Sequence, residues 1–394
     1  MLIAPFVAAA ALAAMAPSPA GSVIAVSDVE HLYDAVNEPA NAGAAIVLSP
    51  GVYVLTKLAP GGATRPNGGR LELQTDMSMF GVTGHPEDVV IDSSDPMNGP
   101  AFGLGGGLGN GGTIRIGRGR NSVEWLTVIG GPSSAAGVQT DLVGAPPILR
   151  VAHVVSRDSV RGIDVRNLGP AGAGRAIVID LDDNELLENT TNNGQGIRFV
   201  NSGADGASIV ATLHNNRSHD NIQGLFASDE HSNNASITID SHDDQFENNT
   251  IGGAIFGGLA NAPGTFTGNT VTLTMHAGSF TGSRGSAVPP QLITAGLNII
   301  GGAVTAPGVS NSAFSNAVRV SIWGTKFDDN AALDLEAWGA KSLMAAPAGT
   351  DNVVTVDLHG VSAEARALAH DSVPDEAAGT NRATINQSRG FEIR

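Results

Sequence analysis

The chain has no cysteine among its 394 residues, which removes disulfide frameworks, thiolate metal sites and thiol nucleophiles together. Aromatic residues make up only 4% and charged residues 15%. A coiled coil or helical bundle is excluded by that shortage of charge, and disorder by the 42% hydrophobic content. Basic residues are scarce too: 21 Lys and Arg face 38 Asp and Glu, a net charge of −17. Such a field repels phosphate backbones and anionic membrane surfaces, so nucleic acid is excluded as a partner. Lysine occurs three times, at Lys57, Lys326 and Lys341.

What the chain has in excess is glycine, 51 residues, and short β-rich runs between polar turns. Residues 1–20 are almost wholly apolar and end in Ser-Pro-Ala, the pattern of an export signal without its usual basic start. The protein is therefore expected to be secreted or periplasmic, with no membrane contact once the signal is removed. Residues 27–39 (SDVEHLYDAVNEP) predict one short amphipathic helix with Ser27 as N-cap and Glu30 three residues on.

Six thirteen-residue segments align without gaps, beginning at Ile177, Ile209, Ile237, Val271, Val318 and Val354. Positions one and three are apolar in all six, the period-two mark of a strand with one buried face. Position ten (Leu186, Ser218, Phe246, Phe280, Phe327, Ala363) forms a second inward column. Asn189, Asn221, Asn249 and Asn330 recur at position thirteen, where Asn suits a left-handed turn and its amide can bond the next Asn in the stack. A further short strand follows each segment, as in GIRFV at Gly196 and GLFAS at Gly224. No repeat can bury a core alone, so the coils must stack, with equivalent strands pairing in parallel ~4.8 Å apart.

On these segments, the Asn column, and the openings AIVLSPGVYVL (residues 45–55) and GVTGHPEDVVID (residues 81–92), the chain resembles the right-handed parallel β-helix of the pectate lyase-like superfamily over roughly residues 23–394. The resemblance implies an all-β fold, a single three-sheet solenoid spanning residues 21–394 with a capping helix, and polysaccharide bound in a groove over the first sheet. It does not choose among lyases, hydrolases and non-catalytic binding proteins.

If position one points inward, positions four and six point out. Position four reads Asp180, Thr212, Asp240, Thr274, Ser321, Asp357, and position six reads Asp182, His214, His242, His276, Trp323, His359. Asp180, Asp182 and Asp240 are the candidate catalytic carboxylates of a hydrolase; Asp180 and Asp240, one coil between them, would have backbones ~9.6 Å apart. His214, His242, His276, Arg198 and Trp323 are the candidate substrate-binding groups. No metal ligand is assigned, since stacked imidazoles are the simpler reading of the histidine column. A lyase would instead use arginine and, as its only expected cofactor, Ca²⁺; Arg198, Arg217, and Arg161 and Arg166 flanking Asp164 are the basic candidates, and Asp180, Asp182, Asp183 and Asp240 the oxygen donors. The run Asp229, Glu230, His231 borders the same region, and the glycine-rich residues 99–112 read as a loop near the groove entrance rather than a phosphate cradle. A non-catalytic polysaccharide-binding protein is the competing class.

Overall fold

The computed structural model describes residues 21–95, 111–116, 118–131, 135–140, 147–191, 193–260, 263–285, 295–304, 311–331, 333–342, 349–361, 366–373, 380–388 and 392–393. The proposed export segment, residues 1–20, and nearly all of the glycine-rich residues 99–112 lie outside these, as does Ala363 of the position-ten column. Strands dominate among the described residues, in parallel sheets of 19, 11 and 2 strands, as an all-β stack of short coils requires.

The pairings trace three ladders. The first ladder carries the start of each repeat: Ile177, Ile209, Ile237, Val271, Val318 and Val354 are successive partners, so all six aligned segments are in register. Short strands such as Glu185–Leu187, Arg217–His219 and Gln245–Glu247 form the second ladder. Arg161–Leu168, Gln195–Ser202, Gln223–Glu230, Ile251–Ala260, Ala295–Val304 and Leu333–Ser342 belong to the third. The first two ladders form one continuous sheet, because Gly119–Ile129 and Pro147–Arg157 each run through both. The three sheets expected from the repeats therefore appear as two large ones and a two-stranded accessory pair.

Alternate residues of all three ladders meet in one interior: Ile177, Ile179 and Leu181 from the first, Leu186 from the second, Ile197 and Phe199 from the third. Phe246, Phe280 and Phe327 stack along it at 4.9 and 5.5 Å, the expected position-ten column. Asn189, Asn221 and Asn249 form a buried line in which each backbone N–H donates to the next amide oxygen, at 3.0 and 2.9 Å. The left-handed φ lies on the residue before each ladder Asn (Glu188 at 57°, Asp220 at 55°, Asn248 at 52°), because the Asn itself turns inward to bond. Further lines run through Asn184, Asn216 and Asp244, and through Asn269, Asn316, Asn352 and Asn381.

The helix spans Val29–Asn37 and buries Leu32, Tyr33, Ala35 and Val36 against the first coils. Its N-cap is Asp28, which accepts the His31 N–H at 2.9 Å, and not Ser27. Glu30 is consequently free of the capping box and pairs with Arg65.

Candidate functional site

The outward side of the first ladder holds most of the expected residues together. In register along position six stand Asp182, His214, His242, His276, Trp323 and His359. His242 stacks on His276 at 4.8 Å, His276 on Trp323 at 6.2 Å, and Trp323 on His359 at 3.7 Å. Trp323 is 44% exposed, so this row is a surface and not a core. Beside its first rungs, His214, Asn215, Asp243, Gln245, Ser279 and Lys326 border a shallow depression of about 480 Å³.

Two carboxylates of that face, Asp180 and Asp182, are not free. Arg150, one coil upstream, aligns with Asp180 and ion-pairs both with it and with Asp182, the latter at 2.7 Å. His214 Nδ1 sits 3.1 Å from Asp182. Burial holds the Asp180 carboxyl above its ordinary range despite Arg150. Burial also acts on Asp182, but the bonds from Arg150 and His214 outweigh it and hold that group low. The hydrogen bond to Asp182 raises His214. Calcium does not fit this set: Asp180 and Asp182 are occupied by a guanidinium, and Asp183 accepts from the Asn215 amide.

The third ladder is built differently. Its inward residues join the common core, yet its outward residues are buried too, in a second cluster containing Val200, Phe226, Phe256, Ile300 and Trp338. Set into this apolar face is a line of in-register polar groups: Glu72, Arg115, Gln139, Asp164, Arg198, then, past Phe226 and Ala254, Asn298 and Glu336. Asp164 is fully buried and accepts from Gln139 Nε2 at 2.9 Å and from Arg198 Nη1 at 3.1 Å. Arg198 reaches on to Glu230 at 3.3 Å. Arg166 Nη2 and Arg161 Nη1 stand 3.8 and 3.9 Å from the same Asp164 oxygen.

Burial penalises every charge here, and the outcome differs by partner. Arg166, Arg198 and Arg161 overcome it at Asp164, holding that carboxyl well below the usual range. Asp164 and Glu230 overcome it at Arg198, which is raised. At Arg161 burial wins, reinforced by repulsion from Arg198, and the guanidinium falls to about 10. Arg161 Nη1 has no hydrogen-bond partner among the described residues. Further along the face, among the described residues, the fully buried Asn298 has neither amide atom bonded, and the Ser228 hydroxyl and Trp338 Nε1 also lack partners. Lys341 lies 4.6 Å from the Trp338 ring centre and 3.7 Å from Glu336.

The structure thus brings Asp180, Asp182, Asp240, His214, His242, His276 and Trp323 onto one face, and places Arg198 on another, within a buried ionic cluster. Arg198 is therefore not a neighbour of the histidine column. Arg161, Asp164 and Arg166 share its cluster, whereas Arg217 lies on the second ladder between Glu185 and Glu247. Asn298, Glu336, Trp338 and Lys341 complete a set that the repeat alignment passed over. All four lie outside the aligned segments; Asn298 sits in the apolar run Ala295–Val304, where no alternation marks it, whereas Glu336 alternates with Leu335 and Ala337 in Leu333–Ser342.

No family model matches the chain, and no curated protein matches it. Among solved structures, one titled "Crystal structure of Agl-KA catalytic domain" is 12% identical, with 95% of this chain and 68% of that chain covered and a TM-score of 0.36.

Proposed function

We propose that this protein is an exported β-solenoid of the pectate lyase-like kind, right-handed and three-walled, that binds an acidic polysaccharide on the outward side of the third ladder and cleaves it by elimination. One observation carries this reading. Arg161 is a partly buried cation whose Nη1 is unbonded among the described residues, and the carboxylate nearest it, Asp164, is already bonded by Arg198 and Gln139.

A uronate carboxylate seated against Arg161, whose side chain keeps 12% of its surface exposed, would supply the missing partner. Guanidinium groups around a carboxylate also stabilise the enediolate that forms when the neighbouring carbon loses its proton, which is the demanding step of elimination. Hydrolysis fits this cluster poorly, since it needs a protonated carboxyl and Asp164 is held as the anion. The test is release of ultraviolet-absorbing unsaturated ends from polyuronates, with neutral glucans as the control.

A second reading, hydrolysis on the first ladder, is favoured by the opposite shifts of Asp180 and Asp182, which suit an acid and a base. Arg150 clamping both makes it the weaker of the two. Under this reading the activity would run on neutral glycans and be lost in Asp180→Asn.

A further inference from the structure

The histidine row holds a feature that neither reading uses. Asp240 and His242 lie two residues apart on one strand, and His276 is the in-register partner of His242 on the next. One ligand atom from each lies within 4.8 Å of the others. Asp240 Oδ1 is 3.2 Å from His242 Nε2, close to the ~3.3 Å edge of a tetrahedron with metal–ligand bonds near 2.05 Å. That oxygen is shielded from solvent and receives no hydrogen bond among the described residues, although an imidazole nitrogen faces it. A carboxylate oxygen and an imidazole nitrogen held this close without a hydrogen bond are arranged as two ligands of one cation.

From this geometry we infer a divalent transition-metal site formed by Asp240, His242 and His276, of the zinc class. Two imidazoles and one carboxylate are the donors such an ion prefers, whereas calcium takes oxygen ligands. The two rings are stacked at 12° between planes, so His276 closes on the ion by rotation about χ2, a broad torsion for histidine. Both histidines and Asp240 are partly exposed, which leaves the fourth position open to water or a ligand. The site lies on the first ladder and is independent of the arginine cluster.

The experiment is titration of the full chain with Co²⁺, followed by its visible absorption, and with Zn²⁺ in competition. The expected result is one ion per chain with the intense bands of a four-coordinate site. Asp240→Asn, His276→Ala and the conservative His276→Gln should each weaken binding at least about tenfold, while His359→Ala, further along the same stack, should leave it unchanged. Unaltered circular dichroism melts would show that the variants fold. Absence of binding in the parent chain, or full binding in both His276 variants, would overturn the inference. So would loss of binding in His153→Ala, since His153 belongs to a separate group with Asp182 and Asp183.

Discussion

Asp164 and Arg198, partners on adjacent strands of the third ladder, share a 3.1 Å hydrogen bond with both side chains almost entirely out of water. Such a bond contributes little net stability compared with an apolar pair, but breaking it strands a buried charge. Asp164→Asn is therefore expected to destabilise the fold by about 3–5 kcal/mol, read by urea denaturation. A loss below about 1 kcal/mol would mean that water reaches the cluster.

Arg161 should behave in the opposite way. Its folded pKa, about 10, lies below the unfolded value, so the charged form costs stability at every pH below that value and the cost is relieved above it. Arg161→Gln keeps a partner for Gln195, whose Oε1 now accepts from Arg161 Nε at 3.1 Å. The variant is expected to match the parent or exceed it by up to about 2 kcal/mol, measured at neutral pH. A loss as large as that of Asp164→Asn would show that Arg161 is a structural cation and not a spare one.

The Asn lines can be tested one residue at a time. Asn221 donates to the Leu186 carbonyl at 2.9 Å and accepts from the Asn189 backbone at 3.0 Å, all in the interior. Asn221→Ala leaves both groups unpaired at a turn closed to water. A loss of about 2–4 kcal/mol is expected in thermal or chemical melts, against less than about 0.5 kcal/mol for an exposed strand residue such as Asn386.

Asp244 gives the chain a pH dependence. It ends the line from Asn184 and Asn216, and burial raises its carboxyl to about 6. With the folded pKa above the unfolded one, the native state binds the extra proton, so this residue's contribution declines as pH rises from about 4 through about 6. Asp244→Asn continues the amide line without a charge. It is expected to be more stable than the parent at pH 7 by on the order of 1–2 kcal/mol and equal to it near pH 4. A gain that does not change with pH would assign the effect to hydrogen bonding alone.

Much of the architecture was legible because stacking imposes repetition. Six segments with apolar residues at positions one and three can only align if Ile177 through Val354 pair in register, and they do. The outward row of His214, His242, His276 and Trp323 followed from the same alternation. Two things did not show. Arg150 precedes the first repeat, and only the pairing of Pro147–Arg157 with Ala176–Asp182 brings it over Asp180. The third ladder is buried on both faces, so strands such as Ile251–Ala260 read as continuous apolar runs. Whether a charged residue within such a run faces core or ligand depends on what packs over it, and periodicity carries no record of that. Arg198 was accordingly grouped with the histidines although it belongs with Asp164 and Glu230.

The most direct test of the proposed function is the absorbance near 235 nm, roughly the range of a conjugated unsaturated uronate, when the purified protein is mixed with polygalacturonate or alginate without added metal. The parent chain is expected to generate that absorbance and Arg161→Gln to lose most of it while remaining folded, with Asp180→Asn unaffected. Equal rates in parent and Arg161→Gln, or turnover confined to neutral glucans and abolished by Asp180→Asn, would contradict it.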